Sequence, residues 1–139
     1  MQINIWINSN KLPTIIFTDL LLYLIGLLIS TYIGSKLVEY VLSKLDLPEE
    51  EGFRRGIKGA GKVIGIIERI LVTILIYMNQ PTAIAIIFMA KSIMRFEQSK
   101  EREFAEYYLI GTLTSITFAL ITGVIFNQLI NLANFIITH

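Results

Sequence analysis

Glu68, Arg69 and Lys91 interrupt stretches of sequence that are otherwise apolar, and Arg95 and Glu106 stand at the edges of the stretches that follow. On insertion scales a charged side chain in hydrocarbon costs about 2.5 to 3.5 kcal/mol, so such residues pair, line water or serve a function. Lys91 and Arg95 are four residues apart and share one helical face. Taken as a group, Glu68 and Glu106 oppose Arg69, Lys91 and Arg95, which leaves one cation in surplus. A surplus cation suits an anion, to which arginine offers a bidentate fork and lysine a point charge. The group is therefore expected to bind an anionic lipid headgroup or a small anion that reaches it from the cytoplasm. Two other uses of the same residues stand beside it: a closed ion-pair cluster that locks helices together, and a path for protons or ions through a small channel or carrier.

Other chemistries have less support. Without cysteine there is no disulfide framework and no thiolate, and the single histidine, His139, stands at the chain end and builds no metal site. No histidine lies inside the apolar blocks to activate a serine or threonine for hydrolysis. Gly56, Gly59, Gly61 and Gly65 follow no strand and lead to no GK[ST], so they read as a flexible approach and close packing rather than a phosphate loop. The acidic run Glu49 to Glu51 lacks the alternating ligands of a calcium loop. A non-enzymatic protein with no metal and no cofactor is expected, and a net charge of +1 gives no general pull toward nucleic acid.

The elements that must carry these residues are helices in a membrane. At 139 residues the chain has room for a single domain, 1–139, and its 54% hydrophobic content lies well above that of soluble domains. Its mean hydropathy is +0.64. The first apolar block, residues 15–33, is close to the ~20 residues a spanning helix needs, and Pro13 suits its start. From Gly34 to Leu47 the residues Leu37, Val38, Val41, Leu42 and Leu45 recur at helical spacing, which predicts an amphipathic segment on the cytoplasmic membrane surface. The cytoplasmic loop, residues 34–62, contains the break at Pro48 to Gly52. Further spans are expected over about 63–78, 82–98 and 107–126, with a turn at Asn79 to Pro81. The fold class is thus all-α, an integral membrane helical bundle of about four transmembrane helices. The third block is short, so residues 63–98 either cross fully, the preferred reading, or form a re-entrant hairpin. Counted from Lys58, Glu68 should lie roughly 15 Å in, near the middle of the membrane, with Lys91 at similar depth on the neighbouring helix.

Lysine and arginine concentrate in the loops after the first and third blocks, which places those loops in the cytoplasm and both termini outside. Helices in lipid associate through small residues that let backbones approach. Gly111, Ser115, Ala119 and Gly123 form one such ridge, Gly26, Ser30 and Gly34 a second, and Gly61 and Gly65 a third that continues to Arg69 and Thr73. These ridges join helices within one chain or between copies. Membrane lipids, a homo-oligomer or a larger membrane complex are the partners expected.

The segments GKVIGIIER (Gly61 to Arg69), AKSIMRF (Ala90 to Phe96) and AEYYLIGT (Ala105 to Thr112) resemble a family of small prokaryotic multi-span membrane proteins of uncharacterised activity. The resemblance covers Gly59 to Gly123, about half of the chain. It implies a helical membrane domain in the cytoplasmic membrane of a prokaryote, and it carries no catalytic residue over.

Overall fold

The computed structural model describes residues 2–45, 59–98 and 102–138, with side chains described over 11–45, 59–93 and 105–138. The acidic run Glu49 to Glu51 and the basic residues Arg54, Arg55 and Lys58 lie outside the described residues. Four helices and no strand make up the described residues: α1 (Gln2–Leu42), α2 (Ala60–Tyr77), α3 (Pro81–Gln98) and α4 (Arg102–Thr138).

Two of the helices are longer than the sequence blocks suggested. Pro13 does not start α1; it lies inside it. A proline removes one hydrogen bond from the ladder, and an apolar helix continues past the gap because every other backbone group is already satisfied internally. The amphipathic stretch after Gly34 does not turn onto a surface either. It continues α1 to Leu42, whose side chain comes within 3.3 Å of the place a Cβ would occupy at Gly111 of α4. Residues 127–138, polar in places, extend α4 without a break.

The turn between α2 and α3 follows from its residues. The Asn79 N–H donates to the Ile76 carbonyl (2.9 Å) and the Gln80 N–H to the Leu75 carbonyl (2.8 Å), with Asn79 at φ 56. This is a Schellman closure, and asparagine is among the few non-glycine residues that tolerate its left-handed position. Pro81 then opens α3, where a missing N–H costs nothing.

Contacts at the glycines set the register of the helices. A Cβ at Gly26 would meet Tyr77 and Phe126, one at Gly34 would meet Arg69 and Phe118, and one at Gly123 would meet Ile76. Thus α1 runs antiparallel to both α2 and α4, and α2 runs parallel to α4. The tip of the α2–α3 hairpin reaches only a little beyond Gly26, whereas α1 and α4 continue side by side for about 18 Å more at 1.5 Å per residue. The apolar core lies between α2, α3 and α4 around Val72, Ile84 and Ala119, with Leu75, Ile76 and Leu120 against it, and Ile84 is the one buried residue among the described side chains of α3.

The distribution of polarity is inverted. Among the described residues, the buried polar or charged ones, Ser30, Arg69, Thr73, Ser115 and Thr122, match the buried apolar ones in number, while thirty large apolar side chains are exposed. The stretches Lys11–Leu42 and Ala105–Thr138 are long and apolar enough to cross a membrane. The core helix of a soluble protein would be mostly buried; here 6% and 28% of the residues in an apolar 18-residue stretch of each are buried.

Candidate functional site

The expected charge cluster divides in two. Successive residues on a helix point about 100° apart, so Glu68 and Arg69 leave α2 on different sides. Glu68 accepts a hydrogen bond from Lys91 Nζ across the α2–α3 hairpin, and the two side chains are 14% and 18% exposed. That pair is neutral and complete. Arg69 turns away from it into the seam between α1, α2 and α4, where it is 3% exposed.

Arg69 rests on hydroxyls. Its Nη1 donates to Ser115 Oγ of α4 (2.8 Å) and its Nη2 to Ser35 Oγ of α1 (2.5 Å). Nε is buried without a partner, and no carboxylate among the described residues forms an ion pair with the guanidinium. Ser35 can accept because its own proton goes to the Thr31 carbonyl (2.7 Å), the usual way a hydroxyl is satisfied in an apolar helix. Thr31 and Thr18 bond back to their own helix in the same way. One turn deeper, Thr73 Oγ1 donates to the Arg69 carbonyl (2.8 Å) and shares a hydrogen bond with the Ser30 hydroxyl (3.0 Å).

Glycine makes the space for this side chain. A Cβ at Gly34 would stand 2.8 Å from Arg69 Cδ and 3.2 Å from its Nε. At Gly65 the nearest described neighbour of an added Cβ would be Arg69 Nη1, at 3.5 Å, and at Gly61 there is nothing within 4 Å among the described residues. Gly61 and Gly65 therefore pack against no other described helix of this chain. The open space beside them lies at the start of α2, with the buried Arg69 guanidinium below it. The exposed pair Lys62 Nζ–Glu39 Oε1 (2.9 Å) stands at its rim and ties α2 to α1.

The other expected packing residues sit in contacts within the chain. Gly26, Ser30, Gly34, Ser115, Ala119 and Gly123 are buried, and Gly111 is covered by Leu42. Glu106 is exposed on the first turns of α4, and the Arg95 side chain lies outside the described residues. Glu68 is midway along α2, and Glu68, Arg69 and Lys91 come level with Gly34 and Ser35 of α1, close to Lys36 and Glu39.

Sequence reasoning missed Ser35 altogether, although a hydroxyl beside Gly34 on the Gly26–Ser30–Gly34 face was a usable signal. It also passed over the far end of the seam. There Asp19 Oδ1 on α1 and Asn134 Oδ1 on α4 are buried without partners, as is Tyr77 Oη, whose ring lies 4.5 Å from that of Tyr23. No family model, curated protein or solved structure matches this chain, so the chemistry of the site rests on the geometry of Arg69, Ser35 and Ser115.

Proposed function

We propose that the chain is a non-enzymatic integral membrane protein that holds an anionic group at Arg69, with α1 and α4 crossing the bilayer and the α2–α3 hairpin entering from the basic, cytoplasmic side. The inverted distribution of polarity supports the membrane reading, because hydroxyls and a guanidinium fill the interior while leucine, isoleucine and phenylalanine face outward. Membrane lipids are then its immediate surroundings, and self-association or a place in a larger complex remains compatible with the exposed helix faces.

Magnitudes favour a re-entrant hairpin over four full crossings. If the hairpin tip reached the outer surface, Leu12, Ile16, Phe17, Leu20, Leu21 and Leu24 of α1 would extend into water, and so would Leu129, Leu132, Phe135 and Ile136 of α4. About half of each of these side chains is exposed, worth ~1 kcal/mol apiece, so the group costs on the order of 10 kcal/mol. Sinking the tip instead brings the Asn79 and Gln80 amides into the membrane at about 2 kcal/mol each, with the N–H groups of the turn already hydrogen-bonded. The lower cost belongs to the hairpin that turns inside.

The anion reading rests on one observation: a buried guanidinium that is held by two neutral hydroxyls and retains unused N–H groups. Glu68 acts on this charge only from a distance and no carboxylate among the described residues touches it, so an anion docked on it offsets part of the cost of burial. A conducting path along the seam has less support, since Ser30, Thr73 and Ala119 close it at 0% exposure. The test is thermal unfolding of the full chain in uncharged detergent, in sulfate against gluconate at equal ionic strength. Sulfate should raise the midpoint of the wild-type protein by a few degrees and leave Arg69→Gln unmoved. An equal response from both proteins rejects the anion site.

A further inference from the structure

The end of the bundle away from Arg69 holds a second charge without a counter-charge. Asp19 Oδ1 on α1 and Asn134 Oδ1 on α4 are both buried, and neither has a hydrogen-bond partner among the described residues. The helix register brings the two residues level. Gly34 lies against Phe118, and eight residues earlier on α1 Gly26 lies against Phe126, eight residues later on α4. Carrying the same antiparallel count onward sets Asp19 beside Asn134. Two turns separate Asp19 from the buried Gly26, and one turn separates Asn134 from Ile130, which is 3% exposed, so both residues stand on the faces that their helices turn to the seam.

Both unpartnered atoms are acceptors, so what completes them is electropositive. The protein brings no cation of its own to this place. The nearest described basic residue on either arm is Lys11, eight residues or about 12 Å along α1, and the described ion pairs lie at the other end of the bundle. Ile16, Leu20, Phe135 and Ile136 surround the level with exposed hydrocarbon. A further oxygen is at hand on Asn131, exposed and one turn from Asn134 on the same face of α4.

We infer that the seam binds a small monovalent cation that enters from the outer side. Asp19 supplies the charge, the Asn134 carbonyl a second oxygen and the Asn131 carbonyl a third, with water from the nearby end of α4 completing the shell, as hard cations require oxygen ligands. One carboxylate neutralises one positive charge, whereas a divalent ion would leave a surplus among apolar side chains. The direction of entry rests on the membrane reading above; the binding rests on the seam alone. The site is separate from Arg69 and stands or falls without it.

Thermal unfolding of the full chain in uncharged detergent is compared in sodium chloride and choline chloride at equal ionic strength, so that the anion is the same in both. Sodium should raise the midpoint of the wild-type protein by a few degrees, and Asp19→Asn should remove the difference. Asn134→Leu should raise the sodium concentration for half the effect by about tenfold, as loss of one charge-assisted contact implies. If Asp19→Asn does not fold, retention of radioactive sodium by the wild type, with choline unable to displace it, decides the matter. Equal midpoints in the two salts, or a sodium response that survives in Asp19→Asn, overturn the inference, and Asn134 then serves Asp19 as an amide donor only. A larger response to calcium than to sodium, abolished by Asp19→Asn, overturns the monovalent assignment. None of these failures touches the anion reading, whose own test varies the anion and substitutes Arg69.

Discussion

The charged residues of the hairpin do two separate jobs, although they are neighbours in the chain. Glu68 and Lys91 neutralise each other and tie α3 to α2, whereas Arg69 turns into the seam between α1, α2 and α4 and is held by serine hydroxyls. Removing one member of a fully buried pair costs about 3 to 5 kcal/mol, and these side chains retain 14% and 18% exposure, so about 2 kcal/mol is expected for Glu68→Gln or Lys91→Met. The double variant should cost clearly less than the sum, because the second change removes a charge that the first has already stranded. Unfolding in detergent followed by helicity measures the cycle, and strict additivity would show that the pair contributes nothing. Arginine suits position 69 for a geometric reason: its planar fork offers one nitrogen to Ser35 on α1 and another to Ser115 on α4.

Among the elements, glycine's role depends on what lies opposite. A side chain at Gly34 would overlap Arg69 Cδ at 2.8 Å and the Phe118 ring at 3.0 Å, so Gly34→Val should destabilise by about 1 to 3 kcal/mol. Gly61→Ala meets nothing within 4 Å and should be neutral or stabilising by up to about 1 kcal/mol through helix propensity. Denaturation midpoints of the two variants check the contrast, and equal losses would contradict it. Much of this level was legible in the sequence. The Asn79-Gln80-Pro81 turn, the helical character of each block and the small-residue ridges of α1 and α4 follow from local rules about φ, N–H groups and backbone approach. The stagger was not legible, because periodicity says which face of a helix is apolar and nothing about how far one helix slides along another. Glu68 and Arg69, expected in one cluster, meet different hydrogen-bond partners, since adjacent helical residues diverge by about 100° wherever the helix sits.

For the molecule as a whole, the stagger separates a charged end from an apolar one. Lys36, Glu39, Lys62, Glu68, Arg69 and Lys91 share the end where α1, α2 and α4 meet, while Asp19 is the acidic residue at the other, between the long arms of α1 and α4. The absence of cysteine makes this arrangement open to single-site labelling. In inside-out and right-side-out vesicles, Ser43→Cys should react with an impermeant maleimide from the cytoplasmic side alone, and Asn79→Cys should be protected on both sides. Rapid labelling of Asn79→Cys from outside would restore four full crossings. The hydroxyls of α1 bear on how such a molecule is made. Because Thr18, Thr31 and Ser35 are satisfied by carbonyls of their own helix, α1 presents no unmet proton donor at these positions when it leaves the ribosome, and it can settle in the bilayer before any later segment exists. Arg69 has no such autonomy. One acceptor for its guanidinium is already waiting on α1, the other comes only with Ser115, and so the hairpin is fully secured only once translation has passed the middle of α4.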